Sequence, residues 1–438
     1  MIQTRNAMKY HAISSKLFVK NRLKFSQQMI PKSIAVFNSN DVFSTGADST
    51  LPFEQHRNIF YLSGVDQEES ILIICPDAKQ KVLREVLFIK KTNAHIAIWE
   101  GAKLSKKQAT ATSGVKSVFW LDEFDSIFSK LMENATSYYK NNNEHYRQAV
   151  EMETREDRFL KRVKTAYPKH EIIPNFPIME TLRGVKEPEE IALIKTACDI
   201  TEKGFRRVLE FVQPGVMEYE IEAEYTHEFI RNRSKGFAYT PIIGSGYSAC
   251  ILHYIENNQE CKDGDLLLMD VAAEYANYSS DMTRTIPVNG RFTPRQRAVY
   301  KAVLNVKNQA TKLLVPGTMW DAYHVEVGKI MSSELLGLGL IDKADIQNED
   351  SKSPAYKKYF MHGTSHHMGL DTHDFGTLKA PMEANMVFTV EPGIYIPEEN
   401  MGIRLEDNVV IQSKGVPLNL MQNIPIEIDE IEDLMNTN

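Results

Sequence analysis

Four of the twelve histidines in this chain fall in one short window, at positions 362, 366, 367 and 373. An imidazole can bind a metal ion or transfer a proton near neutral pH. A cluster beside acids therefore indicates chemistry, whereas an isolated histidine is more often structural. Gly363 and Gly369 in the same window favour a bent, non-helical segment. The window predicts a place where several imidazoles converge.

Two aspartates flank a predicted hairpin in the middle of the chain. Asp270 ends the apolar run 264–270, where an unpaired carboxylate would be costly to bury. Asp281 follows a polar stretch, and a turn near residues 274–277 would place the two aspartates opposite each other, with Cβ atoms about 5 Å apart. Two carboxylates at that separation repel unless a cation or a proton lies between them. The alternative is that Asp270 caps a turn and Asp281 is a solvated loop residue.

Two glutamates belong to later predicted strands, Glu391 at the end of one and Glu406 on one face of another. Glu391 follows the apolar run 387–390 and precedes a Pro-Gly turn. In the run 402–411 the residues alternate so that Arg404 and Glu406 share one face. Taken alone, Glu391 is equally consistent with a solvated turn acid, and Arg404 and Glu406 with a simple ion pair. The neighbouring histidines favour metal or acid–base work for the whole set.

The elements that would position these groups fall into two parts. In the first part, short apolar runs alternate with segments whose apolar residues have helical spacing, which predicts a small α/β domain. Its predicted strands are residues 33–37, 70–75 and 81–89, and its predicted helix is 122–132. Dense charge over residues 141–166 predicts a solvated helical connector, followed by a proline-interrupted stretch. We place the domain boundary after residue 175.

The second part, residues 176–438, is predicted to be an α+β domain in which helices bracket a largely antiparallel sheet. Pro188 with Glu189 and Glu190 indicates one helix start. Thr293-Pro294-Arg295-Gln296 resembles an N-cap followed by a proline at the first helical position. A further helix is predicted from about 218 to 233. The predicted strands are residues 265–271, 283–288, 386–390 and 403–411.

Composition limits the kinds of partner. The 438 residues carry a net charge of −7, which argues against a nucleic-acid partner because phosphate binding needs a clustered basic face. No run approaches the roughly 18 apolar residues of a membrane span, and residues 1–20 lack the apolar core of a signal peptide. The four cysteines are widely spaced and form no CxxC pair. We therefore expect reduced cysteines in a cytoplasmic protein.

Six short segments together resemble the signature blocks of the pita-bread metallopeptidases, and within that superfamily the chain most resembles aminopeptidase P, the Xaa-Pro aminopeptidase family. The segments are residues 251–254, 269–271, 280–284, 362–366, 389–393 and 404–407. Residues 47–64 also resemble that family's N-terminal domain. The resemblance implies an α/β N-terminal domain over 1–175 and an α+β pita-bread catalytic domain over 176–438, with a curved, largely antiparallel sheet flanked by helices.

The resemblance also assigns roles to residues. It implies five metal ligands: Asp270, Asp281, His366, Glu391 and Glu406. They would hold two divalent ions, with Asp281 and Glu406 bridging. Four carboxylates and one imidazole suit Mn²⁺ better than a structural zinc, although cobalt, iron or zinc could also occupy such a site. A hydroxide bridging the two ions would attack the scissile carbonyl.

The remaining roles concern proton transfer and substrate. Glu391 is expected to take the proton from the water and deliver it to the leaving nitrogen. The other residues expected to act in catalysis are His253, His362, His373 and Arg404. Those expected to contact substrate are His253, His373, Tyr395 and Arg404, although packing is an equal alternative for Tyr395. Asp48 corresponds to a family residue that reaches towards a neighbouring subunit's site.

The implied activity is release of the N-terminal residue from peptides with proline at the second position. The closest alternative is a prolidase, which cleaves only Xaa-Pro dipeptides and shares the metal ligands. A second alternative is a pita-bread binding protein without catalysis, which loss of ligands would mark. All five candidate ligands are present here. Similar enzymes are dimers or tetramers, so we expect a homo-oligomer.

Overall fold

The computed structural model describes residues 9–101, 103–142, 144–147, 152–350 and 353–437. The chain divides into two compact units, Met1–Leu182 and Arg183–Asn438. The boundary that the sequence places after residue 175 stays a prediction. No helix among the described residues is both long enough and apolar enough to cross a membrane.

The first unit is built on one six-stranded mixed sheet with helices, as an α/β domain should be. Its strands are β1 Ser33–Asn38, β2 Ile71–Ile74, β3 Glu85–Ile89, β4 Ser117–Trp120, β5 Ser137–Lys140 and β6 Glu171–Pro174. Its helices are α1 Ser15–Gln28, α2 Arg57–Ser63, α3 Ala94–Glu100, α4 Lys106–Ser113, α5 Phe124–Met132 and α6 Arg155–Ala166. The sheet order is β4-β3-β2-β1-β5-β6. The predicted fold class of this part is confirmed.

Two sequence predictions in this unit need correction. The stretch predicted as one strand over 81–89 begins with a short 3-10 turn, Lys81–Leu83, and only β3 is extended. The charged connector is not wholly solvated, because α6 buries Glu156, Phe159 and Val163. Residues 143 and 148–151 of that connector lie outside the described residues.

The second unit combines helices with small antiparallel sheets. Its strands are β7 Ile242–Ser245, β8 Leu266–Asp270, β9 Glu274–Tyr275, β10 Tyr278–Ser279, β11 Thr283–Pro287, β12 Val387–Val390, β13 Gly393–Ile396, β14 Met401–Arg404, β15 Asp407–Val410 and β16 Leu418–Asn419. Its pairings among the described residues are all antiparallel. The predicted α+β class is therefore confirmed.

The helices of this part begin where local chemistry favours them. They are α7 Phe176–Gly184, which contains the division between the units, and α8 Pro188–Phe211, α9 Glu218–Arg231, α10 Pro294–Leu313, α11 Trp320–Gly337, α12 Lys343–Gln347 and α13 Ile428–Met435. At α10 the Thr293 hydroxyl caps the Gln296 N–H, and the Gln296 side chain accepts from the Thr293 N–H in return. This reciprocal capping box confirms the helix start that the sequence predicts.

Candidate metal centre

The five predicted ligands sit at strand ends or in the short segments between strands of the second unit. Asp270 is the last residue of β8, Asp281 precedes β11, Glu391 directly follows β12, and Glu406 lies between β14 and β15. His366 comes from the bent histidine window. Because strand ends are fixed by the sheet ladders behind them, the side chains of these residues are held in place without long flexible loops.

Several of the candidate ligand atoms lie within a few ångströms of one another. One ligand atom from each of Asp281, His366 and Glu406 lies within 4.8 Å of the other two. The Nε2 atom of His366 lies 3.3 Å from Oδ2 of Asp281 and 3.5 Å from Oε1 of Glu391. The charges of Asp270, Asp281 and Glu391 all act on Glu406. Asp281, His366 and Glu406 therefore form a tight cluster, with Glu391 beside His366 and Asp270 within electrostatic range of Glu406.

The hairpin register differs from the sequence prediction. Asp270 pairs with Thr283, not with Asp281. The turn falls at Ala276 and Asn277, which both adopt positive φ angles, within the predicted stretch 274–277. Since Asp281 lies two residues from Thr283, the shift keeps both aspartates on the same face. The two carboxylates are diagonal neighbours.

The acids raise one another's pKa values. Burial, together with the charges of Asp281 and Asp270, raises the pKa of Glu391 to about 7. Burial and the charges of Asp281, Glu391 and Asp270 raise the pKa of Glu406 well above its usual value. Burial also raises the pKa of Asp270, which the Arg404 charge opposes. A cluster of this kind ionises fully only beside added positive charge, which divalent cations supply.

The orientation of His366 also fits a metal ion. Its Nδ1 atom lies 3.0 Å from the carbonyl oxygen of His367, so Nδ1–H is the donor and Nε2 is the ring nitrogen left for the site. Nε2 faces the carboxylates of Asp281 and Glu391. Although burial alone would lower the pKa of His366, these two carboxylates raise it. A ring nitrogen held among carboxylates is placed to bind either a proton or a metal ion, and a backbone carbonyl on the second ring nitrogen is the usual support of a metal-binding histidine.

Three supporting residues were missed by the sequence reasoning. The hydroxyl of Tyr239 donates to Oδ1 of Asp270 at 2.6 Å, and the hydroxyl of Thr283 donates to Oε2 of Glu406 at 2.7 Å. The Asn408 side chain bonds both the N–H and the C=O of Asp281. Thr283 and Asn408 each stand two residues after a predicted ligand, a spacing that places side chains on the same side of an extended segment. Tyr239 carries no such signal.

Arg404 forms its ion pair with Asp270. Its Nη2 lies 2.6 Å from Oδ2 of Asp270, and Nε donates to the Thr283 hydroxyl at 3.0 Å. Glu406, the partner considered from the sequence, instead accepts from Thr283. A buried guanidinium with several fixed acceptors is rigid, so Arg404 fixes the positions of both Asp270 and Thr283.

A chain of hydrogen bonds continues from Arg404 to His362. Nη1 of Arg404 donates to the Tyr395 hydroxyl at 2.8 Å, and that hydroxyl lies 2.8 Å from Nε2 of His362. Nδ1 of His362 lies 2.8 Å from the Gly363 carbonyl oxygen, so Nδ1–H is the donor and Nε2 accepts from Tyr395. Burial and the Arg404 charge lower the pKa of His362 to about 3. His362 is therefore neutral at physiological pH.

The other predicted site residues lie around this centre, with one exception. His373 is exposed, and its ring centroid lies 4.2 Å from that of His366. His253 is exposed and lies within electrostatic range of His362. Tyr395 is fully buried. Asp48 is an exposed residue of the first unit, and its role towards a neighbouring subunit stays a prediction.

Two family models match the chain. Residues 192–413 match Metallopeptidase family M24, and residues 18–139 match the aminopeptidase P N-terminal domain. The two matched stretches fall on the second and first units respectively.

Known proteins are similar over nearly the whole length. The Xaa-Pro aminopeptidase of Haemophilus influenzae is 33% identical over 431 residues, covering 96% of this chain and 97% of that protein. The Xaa-Pro aminopeptidase of Escherichia coli is 35% identical over 437 residues, covering 97% and 98%. The structure of zinc-substituted Escherichia coli aminopeptidase P in complex with product has a TM-score of 0.86 at 32% identity, covering 98% of this chain and 99% of that one.

Proposed function

This chain belongs to the aminopeptidase P family of metallopeptidases, and on that premise we propose that it removes the N-terminal residue from peptides whose second residue is proline. The fold is the two-domain fold of that family, with a pita-bread catalytic domain. The observation that carries the proposal is the buried cluster of Asp281, His366 and Glu406, with the half-buried Glu391 beside His366 and the half-buried Asp270 within electrostatic range of Glu406. A cluster of this kind offers ligand atoms of the type that metal-dependent hydrolysis needs.

Asp270, Asp281, His366, Glu391 and Glu406 would hold two divalent metal ions. Such ions, when bound, lower the pKa of water and polarise a carbonyl oxygen. Four carboxylates offer hard oxygen donors, which favours Mn²⁺ as the native metal. Glu391 is our candidate for the group that moves the proton, because burial raises its pKa to about 7, near the value at which a carboxylate is an effective base and acid.

The residues beyond the ligands would orient and stabilise the substrate. We assign His253 and His373 to contacts with the peptide because both are exposed beside the centre. Arg404 and Tyr395 are buried, so we infer that they act by fixing Asp270 and His362. His362 is held neutral, with Nδ1–H donating to the Gly363 carbonyl and Nε2 accepting from Tyr395. It would therefore fix these neighbours without adding a positive charge to the site.

Peptide length and sequence test the proposal. The chain is treated with a chelator, reloaded with Mn²⁺, and assayed on Ala-Pro-Ala, Ala-Pro and Ala-Ala-Ala. We expect cleavage of Ala-Pro-Ala at the Ala–Pro bond and far slower cleavage of Ala-Ala-Ala. Cleavage of the dipeptide alone would show a prolidase. A protein that binds no divalent ion and cleaves none of the three would be a non-catalytic binding protein.

Two finer statements belong to the proposal. A homo-oligomer, dimer or tetramer, rests on the family likeness, and sedimentation velocity would measure it. A reducing, cytoplasmic location is supported by the four cysteines, Cys75, Cys198, Cys250 and Cys261, which are all free thiols.

A further inference from the structure

One fully buried carboxylate in the catalytic unit lies outside the metal cluster. Glu218 is the first residue of α9 and has no exposed surface. Its Oε1 accepts from the backbone N–H of Ser245 at 2.7 Å and from the Ser245 hydroxyl at 2.9 Å. Its Oε2 accepts from the Tyr254 hydroxyl at 2.8 Å and from the Gln259 N–H at 3.0 Å. These four donors compensate the carboxylate for lost water.

The donors all belong to one stretch of chain, residues 245–259. Ser245 stands at its start, Gln259 at its end, and Tyr254 near its middle. One turn further along α9, Glu222 accepts from the Asn257 side chain at 2.9 Å, and Asn257 is itself in the left-handed region. A single carboxylate therefore ties both ends of this loop, which carries His253.

The same loop is fitted closely against the strand that carries Arg404. A Cβ at Gly402 would lie 2.1 Å from the carbonyl oxygen of Ala249, so the backbone of β14 touches the loop directly. The Tyr254 ring packs in one apolar cluster with Tyr395. Since Tyr395 and Arg404 belong to the hydrogen-bond chain that leads from Asp270 to His362, the loop has a fixed position relative to the catalytic groups.

We propose that Glu218 is a positioning residue for His253: it closes the 245–259 loop and so holds the exposed imidazole where the peptide binds. This inference rests on the proposed function, because it assumes that His253 contacts the substrate. An apolar residue could fill the same buried position without the desolvation of a charge. Unlike an apolar residue, the Glu218 carboxylate accepts four hydrogen bonds from one loop and so fixes the position of that loop.

A double-mutant cycle tests the proposal. Glu218→Gln and Tyr254→Phe are each made alone and combined with His253→Ala. The matched control is Glu220→Gln, because Glu220 is an exposed residue of the same turn whose carboxylate caps the Met217 N–H. For each variant, kcat and KM are measured on Ala-Pro-Ala, together with the number of bound Mn²⁺ ions and the Tm.

Glu218→Gln should lower kcat/KM roughly 10- to 100-fold, as expected for a displaced substrate-contacting group. Tyr254→Phe keeps the ring in its cluster and should cause a smaller loss, so it serves if Glu218→Gln does not fold. In the His253→Ala background, both changes should alter kcat/KM less than about twofold. Glu220→Gln should match the wild type, and all variants should keep their Mn²⁺.

Two results would overturn the inference while leaving the proposed function intact. One is an equal loss with and without His253, which would show that Glu218 does not act through that imidazole. The other is loss of Mn²⁺ in parallel with activity, which would make Glu218 a support of the metal centre. A wild-type protein that does not cleave Ala-Pro-Ala would overturn the proposed function and this inference together.

Discussion

Arg183→Met would remove the cation that holds the end of the histidine window. Arg183 and Asp374 form an ion pair in which both side chains are almost completely buried, and Lys186 lies 3.2 Å from the second carboxylate oxygen of Asp374. The Asp374 N–H donates to the His367 carbonyl at 2.9 Å, the same carbonyl that accepts from Nδ1–H of His366. The ion pair therefore supports the orientation of His366, a candidate metal ligand.

The size of the effect follows from burial. Although burial alone would raise the pKa of Asp374, the charges of Arg183 and Lys186 lower it. Removing one partner of a buried ion pair destabilises by about 3–5 kcal/mol, and we expect about 3 kcal/mol because Lys186 remains. At 2–4 °C per kcal/mol for a domain of this size, Tm should fall by about 6–12 °C. Mn²⁺ affinity should fall about tenfold or more, as for other supports of ligating histidines.

Scanning calorimetry gives the Tm, and titration of chelated protein with Mn²⁺ gives the affinity. Lys329→Met is the control, because it removes a cation from the exposed pair with Glu326 and should change stability by at most about 1 kcal/mol. An Arg183→Met protein with wild-type Tm would refute the claim that the buried pair stabilises this unit. A large fall in Tm with unchanged Mn²⁺ affinity would refute the link from Asp374 to His366.

Three further changes should have separate signatures. Arg404→Lys keeps the charge but loses the forked contacts with Asp270 and Tyr395, so kcat/KM should fall roughly 100-fold, and a loss below about threefold would contradict that role. Burial lowers the pKa of His324 to about 4, so its neutral ring stabilises the fold above pH 6.5 and this stability is lost as pH falls towards 4. His324→Phe should therefore lose about 2 kcal/mol less than wild type between pH 7.5 and 5, and an unchanged pH profile of Tm would speak against it. Chelation leaves the buried acids facing one another, so Tm should fall and recover with Mn²⁺ but not with Na⁺.

The sequence predicted the parts of the site that depend on local order. The acids at strand ends and the glycine-containing histidine window can be recognised because hydrophobic periodicity and turn residues are local properties of the chain. The capping box at Thr293 is equally local. The predicted pairing of Asp270 with Asp281 was wrong by two residues, because Asp270 pairs with Thr283. The register of a hairpin depends on which two residues take positive φ in its turn.

Other features could not be predicted because they depend on tertiary contacts. The stretch 403–411 was predicted as one strand, but it breaks between β14 and β15 at Leu405 and Glu406, where Glu406 turns into the acid cluster. Helix α11 was missed because its apolar residues are spread around the helix rather than gathered on one face. Tyr239 reaches Asp270 from a segment with no strand or helix pattern.

The most direct test of the central claim is to count bound metal and activity on the same samples. Chelated protein is titrated with Mn²⁺, and at each point the ions bound per chain and the rate of Ala-Pro-Ala cleavage are measured. We predict saturation at two ions per chain, with cleavage that rises as the sites fill. Full cleavage by the metal-free protein, or two bound ions with no cleavage, would contradict a two-metal centre formed by Asp270, Asp281, His366, Glu391 and Glu406.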